Sequence, residues 1–202
     1  MAAIRAIPLL VLAVMLAACG TATPVQRTSE TADEKLRAYT RAVVIPLADA
    51  TRVEVDEAVE DEQEIDETDL EAYRREVAVA GRAFADALAE ELRQRREFRE
   101  VVVDEVAQPG DLVIGGEVTM LVTGNVALRW AIGILGAGRS GFQATVRLSD
   151  AASGEELGTL QAEARSSRIG GTLAAFQSAE VLARDAAVRA AVEVGRARRP
   201  ER

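Results

Sequence analysis

The sequence predicts an α+β domain: a mixed, mostly antiparallel sheet of about five strands with two helices packed on one face, in the order β-α-β-β-β-β-α. Three patterns carry that expectation. Residues 70–95 repeat apolar side chains at three- and four-residue spacing, Val77, Gly81, Phe84, Leu88 and Leu92, with Arg82, Asp86, Glu90 and Arg93 opposite. Residues 141–150 alternate strictly, Phe142, Ala144, Val146 and Leu148 against Gln143, Thr145, Arg147 and Ser149. Residues 172–195 carry an alanine-rich stripe, Phe176, Ala179, Ala183, Ala187 and Ala190, which suits a helix lying close to a sheet.

The other elements follow in order. Residues 41–47 (RAVVIPL) form a short β-branched run that reads as a buried strand, with Pro46 near its end where a missing donor is tolerated. Residues 98–106 read as a second strand and Pro109-Gly110-Asp111 as a turn. In the third strand, 112–123, the sequence places Leu112, Ile114, Gly116, Val118, Met120 and Val122 on one face and Glu117, Thr119 and Thr123 on the other. Asp150-Ala-Ala-Ser-Gly154 is a hairpin connection. The last strand, 156–166, changes phase at Gly158, which predicts a bulge.

Composition narrows the chemistry. The 202 residues hold no histidine and one cysteine, Cys19. That leaves no Ser-His or Cys-His pair to make a nucleophile near neutral pH, and no zinc site of the usual kinds. No enzyme activity, cofactor or metal is expected. The net charge of −9 comes from 24 basic and 33 acidic residues, and eleven of the acids lie between 54 and 71, where no base occurs. That run lacks the glycine turn and set spacing of a calcium loop, and it reads as a solvated, self-repelling loop over 52–71. With no basic stripe, no nucleic-acid partner is expected.

The N-terminus is the most specific feature. Arg5 precedes a 13-residue apolar run, 6–18, too short to cross a bilayer and suited to an export signal. It ends in Leu16-Ala17-Ala18-Cys19, which resembles the lipobox of bacterial lipoproteins. The resemblance implies signal removal over 1–18 by cleavage between Ala18 and Cys19, with Cys19 carrying an S-diacylglycerol and an N-palmitoyl chain. The partner through Cys19 is then a lipid bilayer. Gly20 is not the aspartate that retains lipoproteins at the inner membrane, so the resemblance favours the outer membrane, facing the periplasm. Residues 19–38 read as the lipidated N-terminus and a flexible tether, 39–196 as one domain, and 197–202 as a basic tail.

Two further segments invite a functional reading. Gly136-Ala-Gly138-Arg-Ser-Gly141 matches Gly-x-Gly-x-x-Gly, but a strand rather than a helix follows it, so no nucleotide is expected. Residues 125–135 (NVALRWAIGIL) hold the only tryptophan, and Arg129, Trp130 and Ile132 are candidate contacts for a membrane or protein partner. The core or sheet-edge role for this segment stays beside that one.

Ala127-Leu-Arg129, Gly133 and Gly136-Ala-Gly138, then Ala144-Thr-Val-Arg-Leu-Ser-Asp150, Ser153-Gly154 and Leu157, then Gly170-Gly171, together resemble the bacterial lipoprotein family designated domain of unknown function 4410. The resemblance runs from about 41 to 194 and implies an envelope lipoprotein without catalytic residues to carry over. The acidic run departs from it. The expected function is a membrane-anchored, non-enzymatic module that binds an unidentified envelope partner or serves a structural role, with an oligomeric or auxiliary part of a transport or secretion machine as the alternative.

Overall fold

The computed structural model describes residues 19–29, 31–51, 67–122, 140–166 and 177–199. The signal segment 1–18, the acidic residues 52–66, the segment carrying Arg129, Trp130 and Ile132, and Gly170-Gly171 lie outside the described residues. Within them the elements are β1 (Cys19–Ala22), β2 (Gln26–Arg27), α1 (Ala32–Ala38), β3 (Arg41–Val44), β4 (Ala48–Asp49), α2 (Glu67–Gln94), β5 (Glu100–Val103), β6 (Leu112–Val122), β7 (Gly141–Asp150), β8 (Glu156–Arg165) and α3 (Ala179–Ala197).

One mixed sheet runs β1-β8-β7-β6-β3-β5, with β2 beside β8 and β4 beside β6. The β6-β7-β8 meander and β1 and β2 are antiparallel, whereas β3 runs parallel to both neighbours. The expected order from 41 onward holds, since β3, α2, β5, β6, β7, β8 and α3 follow one another. The count of five strands and two helices does not hold. The sheet has eight strands, and α1 is a third helix among the described residues. Two of the added strands arise where a strand is interrupted at a proline. Ala22 pairs with Ala162 but Gln26 with Thr159, and Val44 with Ile114 but Ala48 with Glu117. Each interruption inserts one extra residue, around Pro24 and Pro46, which have no N–H for a ladder. The second interruption also receives α2: a Cβ on Gly81 would stand 2.5 Å from the Leu47 carbonyl oxygen, so only glycine allows that approach.

Helices α2 and α3 pack against each other over one face, and Val77, Phe84, Leu88, Leu92, Ala183, Ala187 and Ala190 are all buried as their spacing predicts. They point the same way. The Tyr73 hydroxyl, near the start of α2, donates to the Leu121 carbonyl at 3.1 Å, while Arg198, just past α3, reaches the carbonyls of Leu36 and Tyr39 at the other end. The bulge at Gly158 is present, because Leu148 pairs with Gly158 and Ser149 with Glu156. A second bulge corrects the face assignment of β6. The register shifts between Val118 and Met120, so Leu121 enters the core, and Met120 and Val122 leave the stripe expected for them.

Two further expectations change. Residues 19–29 are no tether but lie along the whole edge of β8, because their backbone groups find partners there. Gln161 N donates to Thr23 Oγ1 at 2.9 Å, Thr23 N to the Gln161 carbonyl at 2.9 Å, and Thr28 Oγ1 to the Glu156 carbonyl at 2.6 Å. The stretch from 197 is not simply a basic tail either. The Arg198 guanidinium is half-buried 3.8 Å over the Phe98 ring, and burial lowers its pKa against the pull of Glu97.

Candidate functional site

The sheet places Cys19 at one end of a cross-strand row. Cys19 pairs with Arg165, Arg165 with Gly141, and Gly141 with Val122. Beyond the row, Ser166 N donates to the Ser140 carbonyl at 3.0 Å, and Ser140 N to Ser166 Oγ at 3.1 Å, both residues buried. The first turns of α2 and α3 stand at this end as well. Arg129, Trp130, Ile132 and Ala18 lie outside the described residues, and the described chain flanking them ends at Val122, Ser140 and Cys19.

On the face away from the helices, β1, β8, β7 and β6 carry a connected polar surface. The Thr21 hydroxyl donates to Glu163 at 3.1 Å, and Gln143 Nε2 donates to the same carboxylate at 3.2 Å. Thr145 and Gln161 exchange hydrogen bonds at 3.2 and 3.0 Å, and Arg147 bridges Glu117 at 2.8 Å and Glu156 at 3.9 Å. Each of these acids meets an amide, a hydroxyl or a guanidinium, an arrangement of surface pairs. Toward β5 the same face turns aliphatic, with Val102, Val43 and Val113 in one row.

The opposite end is closed by charged clamps. Tyr39 donates to Asp150 at 2.7 Å, and Lys35 to Glu155 at 2.6 and 2.8 Å, tying α1 to the β7–β8 turn. The Tyr39 hydroxyl and Ser153 hold the Asp150 carboxyl down to about 2, while burial and Asp150 push Tyr39 up. Because the folded pKa of Asp150 is depressed, its stabilisation is complete above the ordinary carboxylate range and is lost progressively as pH falls from that range through about 2. Arg41 meets Asp111, Glu105 and Glu100, and Asp111 also accepts from Gln108 N at 2.7 Å within the predicted turn. These groups hold loops, and sequence reading missed them because their partners are far apart in the chain.

No helix among the described residues is long and apolar enough to cross a membrane. Of the chain's most specific motif, Cys19 is the residue described, and it begins β1. A single-sheet α+β domain carrying that motif fits a family defined by sequence. The family model described as Domain of unknown function (DUF4410) matches residues 43–170, and the chain belongs to that family. Comparison with curated proteins returns no match. Among solved structures, the PelC dodecamer from Paraburkholderia phytofirmans is 13% identical, with 85% of this chain and 97% of that one covered at a TM-score of 0.44. A presumed lipoprotein from Caulobacter crescentus CB15 is 16% identical, with 81% and 89% covered at a TM-score of 0.33.

Proposed function

We propose that the protein is an envelope lipoprotein, anchored through acyl chains on Cys19 and facing the periplasm from the outer membrane, whose body binds a partner or serves a structural role without catalysis. The observation that carries the reading is the Leu16-Ala17-Ala18-Cys19 motif at the head of β1. Each buried methylene contributes about 0.8 kcal/mol, so two chains anchor a domain of this size stably. The polar open face supports binding over chemistry, since its carboxylates are occupied by neighbours. Expression with a palmitate analogue tests the anchor. Label and membrane fractionation are expected in the parent chain and lost in Cys19→Ala; equal labelling of the two would refute it.

A further inference from the structure

We propose that the domain stands end-on on the lipid surface, with the row Cys19, Arg165, Gly141 and Val122 against the headgroups and the β7–β8 turn pointing away. This rests on the lipid-anchor reading and adds a direction to it. A lipoprotein whose first ordered residue comes many positions after its cysteine can tumble on its tether, because a flexible chain of n residues reaches about 5–6 Å × √n. Here no spacer exists: Cys19 itself is paired with Arg165. Acyl chains entering the bilayer at Cys19 bring its backbone to the headgroup layer, and the Arg165 Cα follows about 5 Å away across the ladder.

Two exposed side chains at this end suit that surface, beside the acids Glu67 and Glu180 in the first turns of α2 and α3. The Arg165 side chain is 56% exposed, with a long apolar stem below a charge that lies 3.5 Å from Glu163 and still faces solvent at the level of the headgroups. Val181, 43% exposed, sits in the first turn of α3 at the same end. The strand cannot swing away freely, because Gly20, Thr21 and Ala22 pair with Ala164, Glu163 and Ala162, and the bonds of Thr23 and Thr28 extend the hold along β8. At the other end, β8 begins at Glu156, roughly 30 Å from Arg165 at 3.3 Å per residue. That distance separates the Ser153 turn from the bilayer.

Because Cys19 is the only cysteine, a second can carry a fluorophore in the lipidated full-length chain. Arg165→Cys and Ser153→Cys, each labelled and reconstituted into phosphatidylethanolamine and phosphatidylglycerol vesicles, are compared with and without headgroup-nitroxide lipid. Circular dichroism checks that both variants keep the fold. Strong quenching at 165 and none at 153 is expected. Inserting twenty Gly/Ser residues between Gly20 and Thr21, a reach of about 25 Å, should reduce quenching at 165 to the level at 153. Protein that floats with vesicles but is quenched equally at both positions overturns the end-on orientation and leaves the anchor standing. A quenching difference that survives the linker overturns the short anchor as its cause. Protein that fails to float overturns the lipid reading and this inference with it.

Discussion

Helices α2 and α3 lie side by side, in the same direction, on the same face of the sheet, yet large side chains are mixed with alanines in the buried face of α2 while alanines dominate that of α3. Helix α2 inserts Tyr73, Val77, Phe84, Leu88 and Leu92, and Phe84 stacks on Phe142 with ring centroids 5.8 Å apart. Helix α3 buries Ala179, Ala183, Ala186, Ala187, Ala190 and Ala191, with Leu182 and Val194 as its larger anchors. The sheet answers in kind, because β8 turns Ala162 and Ala164 into the core, and α3 packs over β8 and β1. Large side chains supply buried area at the centre; small ones let a helix approach the edge closely enough to cover a polar strand. The two helices therefore fail in opposite ways, one by losing atoms and the other by gaining them.

The largest expected effect is at α2. Phe84→Ala empties the centre of the core and should lower unfolding free energy by about 3–5 kcal/mol in a denaturant titration. A loss under 1 kcal/mol would mean that the two rings do not share one packed core. Next comes α3: Ala187→Leu should cost about 1–3 kcal/mol by overpacking, and protection of β1 amides from hydrogen exchange should fall with it. If Ala187→Leu proves neutral, α3 does not sit at contact distance and the contrast dissolves. Smallest is Ser178→Ala. Its hydroxyl caps α3 by accepting from Val181 N at 3.4 Å, and removal should cost about 1 kcal/mol, read as a lowered midpoint with unchanged slope.

The same contrast explains what could be read from the sequence. Helix α2 and strand β7 announce themselves because large apolar residues recur at a clean period, 77-81-84-88-92 and 142-144-146-148. Strands β1 and β2 give no such signal. With the residues between them they offer Ala22 and Val25 to the core, expose Thr21, Gln26 and Arg27, and owe their order to carbonyls and amides of β8, more than a hundred residues away. Helix α1 spans seven residues and buries only Ala32 and Leu36 among those described, too little for a period to show. Arg198 looked like part of a basic tail because its acceptors, the carbonyls of Leu36 and Tyr39, belong to that unread helix and its end. The bulge beyond Val118 has no glycine or proline to mark it; pairing with β7 sets it. Of the site, the Cys19 motif was legible from local residues, while its fixed position in the sheet was not.

The pairing of β1 with β8 also has a mechanical consequence. Cys19 is the first residue of a strand whose bonds to its neighbour lie across the strand axis, continuing through Thr23 to Thr28. A tug on Cys19 along that axis, against a hold on the β7–β8 turn, loads the ladder in shear. Its hydrogen bonds then bear the force together instead of parting one after another from the end.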